Sequence, residues 1–210
     1  TQLLVGNQPL IYENSSRSLV VVERQSVQLA CFAGEYPTPR VFWRKPNSAI
    51  LSMGNILKIP AIKKEDRGDY HCISENGVGR RISIKVEFPP VLTALQSHVG
   101  QAINYDAYLL CRVQANPQPA ITWIFNGVLL SNNQHYVYAH SSLLSMISKS
   151  VYADYDTTDF FLRIIKMNSL LYGDYICRAS NFLGADAIKY DVFGKYCFHK
   201  HMHKIECISI

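Results

Sequence analysis

Apolar and polar residues alternate along most of the chain with the period of two that a half-buried β-strand requires, because successive side chains on a strand point to opposite faces. Val27, Leu29, Cys31 and Ala33 share one face of such a segment, and Val41 with Trp43 shares one face of the next. Leu57-Lys58-Ile59 reads as a further strand. Tyr70, Cys72 and Ser74, then Ile82, Ile84 and Val86, supply the inward faces of two more. Asn76-Gly77 between these last two is the kind of dipeptide that accepts the positive φ of a tight hairpin turn. The second half repeats the scheme with Ala107, Leu109, Cys111 and Val113 on one strand and Ile121, Trp123 and Phe125 on the next. There Asn126-Gly127 turns the chain into Val128 to Leu130. The expected class is all-β.

The turns repeat as well as the strands. Tyr36-Pro37-Thr38-Pro39 matches Asn116-Pro117-Gln118-Pro119, and Ser74, Asn76 and Gly79 match Ala179, Asn181 and Gly184 at the same spacing. Such an internal repeat points to duplication of one domain type. In each copy a cysteine precedes a tryptophan by twelve residues and is followed later by Tyr-x-Cys: Cys31, Trp43, Tyr70, Cys72, then Cys111, Trp123, Tyr175, Cys177. This pattern resembles two immunoglobulin sandwiches in tandem. In such a domain the first cysteine lies on strand B and the second on strand F of the opposite sheet, the strand C tryptophan packs on their disulfide, and the tyrosine folds its hydroxyl back at the E to F corner. The resemblance therefore implies the disulfides Cys31 to Cys72 and Cys111 to Cys177.

More specifically, the chain resembles the I-set branch of that superfamily, in the lachesin, amalgam and IgLON group of cell-adhesion proteins, at their second and third domains. The likeness spans residues 9 to 193. It is carried by Asn14 to Ser18, by Tyr36 to Arg40 with Trp43-Arg44, by Gly54 to Ile59, by Lys64 to Gly68 with Tyr70, and by Glu75 to Gly79. In the second half Ala120 to Trp123, Leu130 to Tyr136 and Tyr172 to Cys177 carry it. The fold so implied is two tandem I-set sandwiches in an extended arrangement: a linker over 1–8, domains over 9–88 and 89–194, and a tail over 195–210. Pro89 and Pro90 at the junction leave little slack. Departures stand out. Arg24 occupies a usual glycine of the A′ to B turn, which predicts a rearranged turn. Leu171 stands where the first domain has Asp66, the stretch from Ile50 to Gly54 is shortened, and the segment from His140 to Asp159 is lengthened.

Composition narrows the functional classes. At 210 residues with 48% apolar content the chain suffices for two compact cores. Six cysteines, four of them in sandwich spacing, point to an oxidising, extracellular compartment. Closing loops of these lengths stabilises each domain by roughly 4 kcal/mol in the chain-entropy account. The net charge of +5 sits mostly on the first half, with twelve Lys/Arg against eight Asp/Glu over residues 1–88. That is too weak a bias to indicate nucleic acid as a partner. Leu19 to Val22 is far too short to span a bilayer. No signal peptide opens the chain, so an internal fragment or a processed chain is expected, with anchoring left to the full-length protein.

Catalysis is not expected, because the serines and histidines fall on strands and turns without a nucleophile elbow or triad context. His71 and His135 read as ordinary surface residues. No cofactor or metal is expected either. The tail Cys197, His199, His201, His203 and Cys207 holds metal-binding residue types, but its spacing matches no established finger, and it reads as a disordered tail, with a disulfide between Cys197 and Cys207 left open. Asn14-Ser15-Ser16 is a glycosylation acceptor. Strand parity turns Phe42, Arg44, His71 and Ile73 outward together on the first domain, with Glu75, Arg81 and Lys85 beside them. On the second domain it turns Ile124 and Ile176 outward, with Thr122 and Arg178. Apolar and arginine side chains gathered on one sheet make a candidate interface. The implied function is non-enzymatic extracellular adhesion, with cell-surface proteins as homophilic or heterophilic partners. The alternative is a secreted immune-recognition protein that binds microbial surface ligands.

Overall fold

The computed structural model describes residues 10–34, 38–75, 77–140, 156–200 and 204–209, with the backbone alone at 139–140, 196–200 and 204–209. Two compact units, Thr1–Phe88 and Pro89–Ile210, make up the chain. The turn at Tyr36-Pro37, residue Asn76 and most of the lengthened segment after His140 lie outside the described residues.

The strands of the first unit are β1 (Leu10–Ile11), β2 (Leu19–Val22), β3 (Val27–Ala30), β4 (Ala33–Gly34), β5 (Val41–Arg44), β6 (Ile50–Met53), β7 (Ile56–Ile59), β8 (Gly68–Ser74) and β9 (Gly79–Thr93), the last entering the second unit at Pro89. One side of the sandwich is β3 paired with β7, flanked by β1 on β4. The other runs β2-β9-β8-β5-β6 and is antiparallel throughout except that β2 lies parallel to β9. Val27, Leu29, Cys31, Ala33, Val41, Trp43, Tyr70, Cys72, Ile82, Ile84 and Val86 are all buried between the sheets, so the inward parity holds strand by strand. Each large aliphatic side chain so removed from water contributes about 1.5–3 kcal/mol.

The second unit comprises β10 (His98–Gln101), β11 (Ala107–Asn116), β12 (Ala120–Phe125), β13 (Val128–Leu129), β14 (Tyr136–His140), β15 (Thr157–Ile164), β16 (Gly173–Asn181), β17 (Gly184–Lys200) and β18 (Lys204–Ser209). Here β10-β17-β16-β12-β13 faces β14-β15-β11. Asn126 and Gly127 take φ of 48° and 78°, the left-handed pair that a two-residue hairpin between β12 and β13 needs.

Disulfides cross each core between Cys31 and Cys72 and between Cys111 and Cys177, both with Cα atoms 6.4 Å apart. Trp43 and Trp123 are buried in the same cores, and the Trp43 indole donates from Nε1 to the Gly54 carbonyl at 3.1 Å. The corner tyrosines close their turns identically: Tyr70 donates from its hydroxyl to Asp66 O, and Tyr175 to Leu171 O, each at 2.8 Å.

Two expectations are corrected. The turn at Arg24 is not rearranged. Arg24 adopts φ of 72° and donates its N–H to Ile62 O at 2.7 Å, as Asn104 with φ of 70° donates to Met167 O at 2.8 Å in the second unit. The reciprocal bonds Ile62 N–H to Gln25 O and Met167 N–H to Tyr105 O lock both turns, and burial of Ile62 and Met167 holds them in place, so arginine bears the left-handed conformation. Nor are the described residues after Gly194 a disordered tail: β17 continues to Lys200 and pairs antiparallel with β18. Tyr196, Phe198, Ile205 and Ile208 give this stretch the aromatic and β-branched content that favours strand.

Candidate functional site: the outward sheet faces

Register determines which outward residues become neighbours. In the first unit Phe42 stands directly across from Ile73 on one side and Met53 on the other, so Met53, Phe42 and Ile73 form one row over three strands. The adjacent row is Ile50, Arg44, His71 and Arg81. A bulge between Trp43 and Arg44 adds Leu51 to the edge strand and keeps Ile50 opposite Arg44 rather than one step out of phase. Phe42, His71 and Ile73 are half-buried, Arg44 and Arg81 are exposed, and Met53 is 79% exposed. A shallow depression of about 510 Å³ opens at the end of the first row between Arg40, Phe42, Met53 and Glu75. The Glu75 carboxylate accepts the Arg40 N–H at 3.3 Å across its rim. Arg81 lies 3.6 Å from the Asp69 carboxylate in a solvent-exposed pair, which leaves its guanidinium accessible to a partner.

On the second unit Ile124 stands across from Ile176 and from Leu129, and Thr122 across from Arg178. Ile124 and Ile176 are half-buried while Leu129 and Val128 are exposed. Lys189, across from Ile176, is drawn away by the Asp174 carboxylate at 2.6 Å. This face is therefore a narrower apolar row, with Lys189 ion-paired at one end and Arg178 exposed beside Thr122.

The sequence missed Ile50 and Met53, which enlarge the first face. Their short edge strand has no clean alternation, and only its pairing to β5 shows which side they occupy.

A family model for the immunoglobulin domain matches residues 9–76 and 89–181. The chain belongs to the immunoglobulin domain family. This immunoglobulin chain is 46% identical to lachesin of Schistocerca americana and 41% identical to lachesin of Drosophila melanogaster, in each case over 91% of this chain and 54% of the relative. It thus spans about half the length of the relatives it matches. Among solved structures, a complex of Dpr2 Ig1-Ig2 with DIP-Theta Ig1-Ig3 superposes with a TM-score of 0.73 at 25% identity, covering 89% of this chain and 64% of that one. Both matched stretches of the chain are immunoglobulin domains. Among the described residues no group of three His, Cys, Asp or Glu side chains is placed to hold a metal ion. His201 and His203 lie outside the described residues. No described helix is long and apolar enough to cross a membrane.

Asn14 is exposed, and the two serines after it are used by the fold. Ser15 Oγ accepts the Phe32 N–H at 2.9 Å, and Ser16 Oγ accepts the Ala30 N–H at 2.8 Å. These hydroxyls tie the turn after β1 to the end of β3 and to the residue just before β4.

Proposed function

We propose that this chain is an extracellular or cell-surface adhesion module that binds cell-surface proteins through the outward β5-β8-β9 face of its first domain. The observation that carries the reading is the row Met53, Phe42 and Ile73 beside Arg44, His71 and Arg81: an apolar centre next to guanidinium groups. Aromatic and arginine side chains are enriched at the energetic centres of protein interfaces, and the apolar row offers a partner area to exclude water from. The strong likeness to lachesins and the resemblance to a solved immunoglobulin complex support a partner that is itself a cell-surface protein, either another copy or a relative. The second domain's row at Ile124 and Ile176 is a lesser candidate, since it has no aromatic side chain at its centre and no second apolar residue such as Ile50 in the row beside it.

Phe42→Ala with Ile73→Ala is expected to weaken self-association or binding to cells that display the partner by at least tenfold, which corresponds to more than about 1.4 kcal/mol. Both residues stand outside the buried core, so the melting temperature should move by only a few degrees. Unchanged sedimentation and unchanged cell binding by the double variant would remove this face. Asn14 carries an N-linked glycan in this reading. Its sequon hydroxyl is engaged by Ala30 in the folded domain, so transfer precedes closure of that edge. A mobility shift on N-glycosidase treatment, absent in Asn14→Gln, tests it.

A further inference from the structure

We propose that Cys197 and Cys207 form a third disulfide that staples the hairpin by which β17 continues past the second sandwich. The ladder of this hairpin runs from Lys195 opposite Ser209 to Lys200 opposite Lys204, and it sets Cys197 directly opposite Cys207. Directly opposed residues of an antiparallel pair have Cα atoms about 5.5 or about 4.5 Å apart, depending on whether the pair is hydrogen-bonded. Both separations fall within the roughly 4.4–6.8 Å that a disulfide spans, so no backbone movement is needed. A slip of one residue would put Glu206 or Ile208 opposite Cys197 and destroy this match.

A second observation points the same way. β18 pairs with β17 and with no other described strand, and a lone two-stranded hairpin is marginal in water. A covalent link across the ladder removes that weakness. The other four cysteines of the chain are all bonded, so the protein matures where thiols are oxidised. The oxidant is a disulfide, that of a thiol oxidoreductase or of oxidised glutathione. One cysteine thiolate attacks it to give a mixed disulfide, and the second displaces the remaining thiol. Two S–H bonds are lost, one S–S bond forms, and the oxidant leaves as two thiols that take up both protons. The product has no thiolate at either position, so the neighbouring histidines have no sulfur co-ligand for zinc.

The test is peptide mapping of the full 210-residue chain, secreted from cultured cells and alkylated without reduction. Trypsin cuts after Lys195, Lys200 and Lys204, so the expected product is residues 196–200 joined to residues 205–210, separable by reductant. Cys197→Ser should leave one alkylated cysteine, Cys207, with the two sandwich disulfides and the melting temperature unchanged. Alkylation of both cysteines in the parent chain, a Cys197 link to another cysteine or another molecule, or one zinc per chain with both thiols free would each overturn the proposal.

Discussion

In the first sandwich the turn before β8 is closed by a carboxylate: Asp66 accepts the Lys63 N–H at 2.9 Å and so caps the short 3-10 turn Lys64–Asp66. In the second the equivalent turn, Ser169–Leu171, is capped from its front by Asn168, whose side-chain oxygen accepts the Leu170 N–H at 2.9 Å. Leu171, freed from that task, is buried in the core. The tyrosines that hang from these turns differ in the same sense. Lys45 Nζ sits 5.0 Å from the centre of the Tyr70 ring, whereas Phe125 stacks on Tyr175 at 4.3 Å with Tyr136 at its edge. The same backbone bond from tyrosine to the carbonyl four residues earlier is thus supported by polar contacts in one domain and by apolar packing in the other. A fold fixes which backbone groups must be satisfied, and the sequence is free to choose the means.

Truncating the two corners should separate these means most widely. Leu171→Ala removes buried apolar surface and should cost the second domain about 2–3 kcal/mol. Asp66→Ala removes only a cap and should cost the first about 1 kcal/mol. Denaturant unfolding followed at Trp123 in a Trp43→Phe background, and at Trp43 in the converse, reads each domain separately. The reverse order of costs would break the comparison.

Alkaline pH should sharpen it. Burial pushes the Tyr70 and Tyr190 phenols up to about 12, with the Asp66 charge adding to the rise at Tyr70, and burial raises Tyr175 strongly as well. In the unfolded chain a phenol ionises near its ordinary value of about 10, so above that pH the unfolded state binds fewer protons and stability falls as pH rises. The contribution is intact below pH 10 and is lost on the way to 12 and beyond. With two such phenols in the second domain against one in the first, the second should lose stability about twice as steeply over this range. One corner tyrosine titrates in each domain, so the excess belongs to Tyr190, and equal slopes at the two tryptophans would count against burial of its phenol.

The smallest difference lies in the A′ to B turns. Arg24 and Asn104 share left-handed φ, but asparagine visits that region readily and arginine does not. Relief of that strain is partly offset by glycine's larger unfolded-state entropy, so Arg24→Gly should stabilise the first domain by about 0.5 kcal/mol. Asn104→Gly should be nearly neutral in the second. A loss of stability on Arg24→Gly would mean that the arginine side chain contributes more than its backbone conformation costs.

Much of this was legible in the chain itself. Alternation identified the inward faces at Val27 to Ala33, at Tyr70 to Ser74 and at Ala107 to Val113, because a strand shows its buried side every second residue whatever its partner. The outward placement of Phe42 and Ile73 followed from the same parity. Other features depend on chain segments far apart in sequence, and no local period encodes them. The parallel pairings of β2 with β9 and of β10 with β17 join strands more than sixty residues apart. Ile62 and Met167 are core residues on turns, buried because remote turns hold them there through paired backbone bonds. Ile50 and Met53 join the candidate face only through a bulge against β5, and Cys197 stands opposite Cys207 only through the register of two strands that alternation did not announce. Sequence determined which side of each strand faces in, since that is a property of one strand. Tertiary structure decided which strands stand side by side, since that depends on hydrogen bonds and packing between segments that the chain brings together only on folding.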